Sequence, residues 1–218
     1  MTINGNMKGI ITADVVGSTK IPQNQRGMLP DVLQQLVAQL QTICPMRLEI
    51  YRGDSFQIVV EQYEKSPLVA ALLRVGMISK SIDKSSRLDA RMSIGIGEVS
   101  YVGASVGQSD GEAFVLSGRT FESLGKQRLA ITTADKGVND ELSVLAIILD
   151  DMLSHLTLAQ SKAVFEFLFE PGITQKSIAE KLDMTPQMIS KALRAANAAI
   201  LALVLNRMEV VLTNNLSK

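Results

Sequence analysis

Two aspartates in the first quarter of the chain have the side chains and the setting expected for a metal site. Asp14 lies near the end of the stretch at 8–16, KGIITADVV, which predicts a buried strand, and Asp54 follows Gly53 in a predicted hairpin. If these strands are neighbours, the two carboxylates lie side by side and supply the oxygen ligands that Mg²⁺ prefers. A magnesium ion held there can bind the phosphates of a nucleoside triphosphate.

The turn after the first strand adds groups that suit a phosphate. Gly17, Ser18 and Thr19 can offer backbone N–H groups to phosphate oxygens, so this turn is the predicted cofactor-binding segment. A simpler interpretation stays open, because Asp14 and Ser18 can cap a turn and Asp54 can be only a hairpin residue.

A second set of polar residues lies in the last third of the chain, in the stretch TQKSIAEKLDMTPQMISKAL. Thr174 and Thr185 are predicted caps of two successive helices, and Pro186 opens the second of them. Two helices joined by so short a turn predict a helix-turn-helix that places its second helix in the major groove of DNA. The residues predicted to contact DNA are Thr174, Gln175, Thr185, Gln187, Met188, Ser190, Lys191 and Arg194.

Two considerations keep other interpretations of this stretch open. A plain helical bundle used for packing or dimerisation would have a similar apolar pattern. From Ser154 onward the chain has seven basic and five acidic residues, a net charge of about +2. So weakly basic a module needs a second copy to bind DNA tightly at physiological salt, and we therefore expect a homodimer.

Hydropathy patterning predicts the elements that position these residues. Strands are expected at 8–16, 46–52, 55–60, 90–99 and 128–133, and helices at 31–43, 67–82, 111–124 and 139–153. The order βαββαβ is that of a ferredoxin-like α+β sheet with helices on one face. Because the pattern is helical from about residue 137, we expect an α+β domain at 1–152 and an all-α helix-turn-helix domain at 153–218.

The apolar residues after the predicted recognition helix suggest that the last helix continues past it and is packed on most sides. A partner subunit or the N-terminal domain would cover it, and core packing within one chain is an open alternative. The residues concerned are Ile200, Leu201, Leu203, Val204, Leu205, Met208, Val211 and Leu212.

Composition excludes several classes of protein. The 22 basic and 22 acidic residues balance, so any contact with nucleic acid must come from a local patch. Cys44 and His155 are the only cysteine and histidine, which excludes an intramolecular disulfide and leaves a zinc site without ligands. Without a signal-like N-terminus or an apolar run of roughly 18 residues, we expect a soluble cytoplasmic protein that does not bind membranes.

The first half of the chain resembles the class III nucleotidyl cyclases in an ordered set of motifs. These are the Asp and Gly-Ser/Thr turn of Thr12 to Thr19, the hairpin Gly53-Asp54-Ser55-Phe56, the strand from Arg91 to Val99 and the helix from Gly111 to Arg119. The resemblance covers about residues 8–133 and implies Asp14 and Asp54 as metal ligands. It further implies that Arg119 stabilises the transition state across a head-to-tail dimer, although Arg119 can equally be a surface residue.

Three positions depart from the cyclase pattern. The base-selecting lysine of the family falls on Ile50, its second base-selecting residue falls near Gln108, and its transition-state asparagine falls on Val115. Without these polar groups a purine is not recognised and developing charge is under-stabilised. The resemblance therefore implies a non-catalytic domain that binds a nucleotide, with or without Mg²⁺, or only dimerises.

The C-terminal stretch resembles the helix-turn-helix of sigma-factor region 4 over about 40 residues, and the combination of both parts resembles the SatD-like bacterial family. The leading hypothesis is a DNA-binding transcriptional regulator with an N-terminal nucleotide-sensing or dimerisation domain. Two alternatives are a Mg²⁺-dependent nucleotidyl cyclase or nucleotidyltransferase, and a scaffold whose helix-turn-helix contacts only protein.

Overall fold

The computed structural model describes residues 7–20, 27–51, 53–82, 86–101, 103, 106 and 109–216. The strands within them are β1 (Met7–Val15), β2 (Met46–Ile50), β3 (Ser55–Val60), β4 (Ala90–Tyr101), β5 (Asp110–Gly111) and β6 (Leu129–Thr133). The α-helices are α1 (Leu29–Leu40), α2 (Ser66–Ser79), α3 (Glu112–Ser123), α4 (Lys136–Ser154), α5 (Leu158–Phe169), α6 (Gln175–Leu182), α7 (Pro186–Ala195) and α8 (Ala198–Leu216).

Strand β1 is the centre of the antiparallel part of the sheet. It pairs with β3 on one side and with β4 on the other, and β2 continues the sheet beyond β3. This pairing is the one expected for a βαββαβ unit, so the predicted α+β sheet is confirmed. The strand predicted at 128–133 is present as β6, which pairs with β4 in parallel. The two-residue strand β5, which pairs with the end of β4, was not predicted.

Helices lie on both faces of the sheet, and the prediction of one covered face is wrong in this respect. Gly9 of β1 lies against Ser66 of α2, whereas its neighbour Ile10 lies in a separate apolar cluster with Ala113 of α3. Successive residues of a strand point to opposite faces. α1 and α2 therefore share one face, as predicted, and α3 covers the other.

A glycine of β4 lets α3 pack directly on the sheet. A Cβ at Gly95 would lie 2.3 Å from the carbonyl oxygen of Ala113 and 2.4 Å from the amide nitrogen of Ser117. Backbone atoms cannot move aside as a flexible side chain can, so this close approach requires glycine. Ser93 then donates to the Ser117 carbonyl at 2.7 Å, and Thr12 shares a 2.8 Å hydrogen bond with the Ser117 hydroxyl.

One apolar core extends from the sheet into the C-terminal helices, because α2 packs against α5 and α4 packs against α8. The sequence left open what covers the last helix. In the structure, α8 contacts the sheet-bearing part of the same chain. The buried residues of α8 include Leu201, Val204, Leu205, Met208, Val211 and Leu212. The expected boundary at 152/153 falls in the last turn of α4, and the division into two domains stays a prediction.

α7 and α8 are separate helices, so the expected continuation of the last helix is wrong. Asn197 takes a φ of +49° between them, a left-handed conformation that asparagine tolerates and that ends a helix. Among the described helices, α8 is long and apolar enough to cross a membrane by length and mean hydropathy (1.2), with 33% of that window buried. Core helices of soluble proteins have the same properties, and a cytoplasmic location stays a prediction.

Cys44, the one cysteine of the sequence, is buried between α1 and β2. Burial, reinforced by the nearby charge of Glu64, raises the pKa of its thiol to about 11. The thiolate is the form that attacks electrophiles and binds metals, so this environment does not favour either role at neutral pH.

Candidate functional site

Asp14 and Asp54 lie together at one edge of the sheet, near the end of β1 and in the turn that leads into β3. β1 pairs with β3 so that Asp14 is opposite Ser55, and the Val15 amide donates to the Asp54 carbonyl oxygen at 2.9 Å. The structure thus brings the two predicted carboxylate residues to neighbouring strand ends. Their role as metal ligands stays a prediction.

Asp14 pairs with Arg91, the first residue of the cyclase-like strand motif, to which the sequence analysis assigned no functional role. Arg91, its antiparallel partner on β4, donates Nε to Oδ1 at 3.0 Å and Nη2 to Oδ2 at 2.6 Å. This two-point hydrogen bond to Asp14 raises the pKa of Arg91. The guanidinium also lies over the Phe121 ring, 5.2 Å from its centroid, which holds it in position.

Asp54 is occupied by the turn that follows β1. Ser18 donates its hydroxyl to Oδ2 of Asp54 at 2.7 Å, and Gly17 takes a φ of +65° to form the turn. This hydrogen bond ties the turn after β1 to the turn before β3. Thr19, the third residue of the predicted phosphate-binding turn, is exposed.

A magnesium ion at this edge would have two carboxylates, those of Asp14 and Asp54, as its protein ligands. Within the described residues, no group of three or more His, Cys, Asp or Glu side chains is arranged to hold a metal. The guanidinium of Arg91 already neutralises Asp14, so a cation would have to displace it. We therefore assign no chemical step to a metal here.

The other residues implicated by the cyclase resemblance are spread over the surface and the core. Arg119 is exposed on α3 and has no hydrogen bond or ion pair with a described residue, and Val115, one turn earlier, is 44% exposed. Ile50 ends β2 and packs against the main core. Gln108 lies outside the described residues.

The second candidate site is formed by α6 and α7, two helices joined by a tight turn. The hydroxyls of Thr174 and Thr185 accept hydrogen bonds from the backbone N–H three residues further on, at 3.1 and 3.3 Å. Between the helices Asp183 takes a left-handed φ of +52°, and the Met184 amide donates to the Ala179 carbonyl at 2.9 Å. These local interactions fix where one helix ends and the next begins.

α7 has one buried and one exposed face. Ile189 and Leu193 are buried in the core, whereas Lys191 and Arg194 are exposed and make no hydrogen bond or ion pair with any described residue. The predicted DNA-contact residues Gln187 and Met188 are also exposed, as are Thr174, Gln175 and Thr185, while Ser190 is half-buried. Gln175, Ser190 and Arg194 line one open cleft of about 320 Å³, which brings residues of both helices together.

Ion pairs elsewhere in the C-terminal helices concentrate the positive charge of this module on α7. Lys181 donates to Glu166 at 3.2 Å and to Glu170 at 2.8 Å, and Arg207 pairs with Glu141 of α4 at 2.6 Å. α7 itself contains two basic residues and no acidic one. The local potential at α7 is therefore more positive than the overall bias of the module suggests.

No protein-family model and no curated protein matches this chain. Among solved structures, a bacterial light-regulated adenylyl cyclase is similar, with a TM-score of 0.45 and 14% sequence identity. The match covers 58% of this chain and 76% of that chain. A similarity this low carries no argument about function, and membership of the SatD-like family stays a prediction.

Proposed function

We propose that this protein binds double-stranded DNA through α6 and α7 and acts as a transcriptional regulator. The observation that carries the proposal is the exposed basic face of α7, on a helix whose opposite face is anchored in the core by Ile189 and Leu193. A helix held in this way after a tight turn has the size and charge that the major groove admits.

Five of the predicted contact residues have a chemical role in this proposal. Gln187 near the start of α7 can pair with adenine, and Lys191 and Arg194 can bind guanine or phosphate. The first turn of α6, which Thr174 and Gln175 begin, directs backbone N–H groups outward, and such groups bind phosphate oxygens.

A homodimer is part of the proposal. One copy of α7 offers two basic side chains, and affinity at physiological salt depends on the number of phosphates neutralised. Two copies related by a two-fold axis would bind half-sites about 34 Å apart, or a multiple of that distance.

We assign the sheet-bearing part a non-catalytic role, sensing a nucleotide or holding two copies together. Arg91 engages both oxygens of Asp14, and apolar Ile50 and Val115 stand where the cyclase pattern has polar residues. Magnesium-dependent nucleotidyl transfer is a second candidate, favoured by the adjacency of Asp14 and Asp54 at one edge of the sheet.

The test of DNA binding is fluorescence anisotropy of the full chain with labelled fragments of its own promoter region, at two salt concentrations and with competitor DNA. We expect specific binding that weakens steeply with salt, and the double variant Lys191→Ala/Arg194→Ala should lose at least tenfold in affinity. Lys136→Ala removes one exposed charge at the start of α4 and should bind as the wild type does. Undiminished binding by the double variant would overturn the assignment of α7.

Two further outcomes separate the alternatives. No DNA binding at low salt would favour a scaffold that contacts only protein. Turnover of a purine nucleoside triphosphate that requires Mg²⁺, and that Asp14→Ala abolishes, would favour the enzyme.

A further inference from the structure

A cleft of about 610 Å³ lies where the sheet-bearing part meets the C-terminal helices. It is bounded by the end of α2, the segments before β4 and β6, and the connection from α4 to α5. Its lining includes Ile78, Arg87, Arg128, Leu156, Leu158 and Ala159. Its volume is in the range of clefts that hold small organic ligands.

Two arginines of this cleft meet at one carboxylate oxygen. Oδ2 of Asp89 lies 2.7 Å from Nη1 of Arg128 and 3.8 Å from Nη2 of Arg87. The same carboxylate also accepts two hydrogen bonds from the buried Arg74, at 2.9 and 3.2 Å. With Asp150, which also pairs with Arg74, the described cluster has three guanidinium groups and two carboxylates, an excess of positive charge.

The guanidinium groups keep unused hydrogen-bond donors. Arg128 has one side-chain hydrogen bond to a described residue, although its guanidinium has five N–H donors. Arg87 donates from Nη1 and Nη2 to backbone carbonyls around the end of α4, while its Nε is buried without a partner among the described residues. Burial lowers the pKa of Arg87, and repulsion from Arg128 and Arg74 lowers it further against the attraction of Asp89.

The positive end of α5 adds to this charge. Leu158 begins α5, and Leu158 and Ala159 line the cleft with the first turn of the helix. The positive end of the helix dipole therefore borders the same cleft as the two arginines.

The rest of the lining includes the apolar side chains of Ile78, Leu156 and Leu158 and the polar residues Ser81, Ser154, His155 and Thr157. We propose that this cleft binds a small molecule that carries an oxyanion, a phosphate or a carboxylate, on an apolar body. The guanidinium groups of Arg87 and Arg128 bind the oxyanion, since planar guanidinium matches such groups with paired hydrogen bonds. The apolar body lies against the wall formed by the end of α2 and the start of α5.

The cleft lies beside the connection from α4 to α5, which leads into the C-terminal helices. Arg87 belongs to the segment before β4 and binds the carbonyls of Leu153, Ser154 and Leu156 at the connection from α4 to α5. A ligand held by Arg87 therefore contacts the point from which the helix-turn-helix extends.

The experiment is isothermal calorimetry on the full chain with phenyl phosphate, benzoate and inorganic phosphate, and with phenol as the uncharged control. We expect saturable binding of phenyl phosphate or benzoate, weaker binding of inorganic phosphate and none of phenol. The tighter of the two aromatic anions identifies the oxyanion. Absence of saturable binding by both aromatic anions would overturn the proposal.

Two variants locate the binding in the cleft. Arg128→Gln should weaken it at least tenfold. Ala159→Glu adds an exposed negative charge at the start of α5, where the helix dipole favours it, and should weaken binding as strongly without loss of fold. Ala134→Glu adds the same charge at an exposed alanine outside the cleft and should bind normally. Wild-type affinity in Ala159→Glu would show that the anion binds elsewhere.

Discussion

Two arginine–aspartate pairs with nearly the same geometry lie in different surroundings. Arg74 holds Asp89 in the core, with side chains 0% and 2% exposed, and Arg91 holds Asp14 at the edge of the sheet, with side chains 37% and 27% exposed. Both pairs have two parallel hydrogen bonds. Burial, and not geometry, decides which pair is a fixed part of the structure.

The buried pair of Arg74 and Asp89 depends on further hydrogen bonds to the residues around it. Arg74 also donates to Asp150 at 2.7 Å and to Ser154 at 3.0 Å, and Asp89 also accepts from Arg128 and from the Ala90 amide. A charge removed from water is stable only when its hydrogen-bonding groups are satisfied, so losing one partner strands the others. At the sheet edge, water can replace either partner of the Arg91–Asp14 pair.

The largest expected effect is that of Arg74→Met. It leaves the buried Asp89 and the half-buried Asp150 without their main counter-charge, so the free energy of unfolding should fall by about 3–5 kcal/mol, as measured by urea denaturation. Arg119→Met, at an exposed arginine of α3, is the matched control and should change it by less than about 0.5 kcal/mol. If Arg74→Met lowered the free energy of unfolding by less than about 1 kcal/mol, the buried pair would contribute no more than an exposed pair does.

The stability of the protein should depend on pH through the buried Asp89. Burial opposes ionisation of Asp89, but the guanidinium groups of Arg74 and Arg128 outweigh it and hold its pKa below the ordinary value. Such a carboxylate adds stability that is fully present above its unfolded-state pKa of about 3.9 and is lost as pH falls through the folded-state pKa. Urea denaturation from pH 6 to pH 2 should therefore show falling stability below about pH 4. Asp89→Asn, less stable throughout, should show a shallower fall, and an equal slope in both proteins would contradict the assignment.

A smaller effect is expected at the edge of the sheet. Arg91→Gln should lower the free energy of unfolding by at most about 1 kcal/mol, because solvent screens a half-exposed pair. Measurement in low and high salt sharpens the comparison, since the wild-type advantage should shrink in high salt. A loss as large as that of Arg74→Met would mean that the sheet-edge pair is also fixed.

The smallest effect is expected for a fully solvated pair on α6. Lys176 and Glu180 are 4.0 Å apart with side chains 80% and 68% exposed. Lys176→Gln should change the free energy of unfolding by less than about 0.5 kcal/mol, within the error of most denaturation curves. A clearly measurable loss of unfolding free energy would show that exposure alone does not determine how much each ion pair contributes to stability.

Local features of the molecule were predictable from the sequence, and long-range pairings were not. Thr174, Thr185 and Pro186 mark helix starts by interactions within four residues, so the starts of α6 and α7 follow from the sequence pattern. Arg74 lies in an apolar stretch whose pattern gives no sign of its partner Asp89, because that contact depends on how α2 packs against β4. Arg91 opposes Asp14 only through strand register, and the sequence around Gly95 does not show that a helix packs against this glycine.

The buried Cys44 gives this protein a built-in reporter of transient opening. With one cysteine in the sequence and a thiol pKa of about 11, a thiol-directed reagent at neutral pH labels molecules in which the corner between α1 and β2 has come apart. The labelling rate under native conditions therefore reports the equilibrium between closed and open forms of that corner. A DNA fragment or a small anion that stabilises the whole molecule should slow this labelling, without any engineered probe.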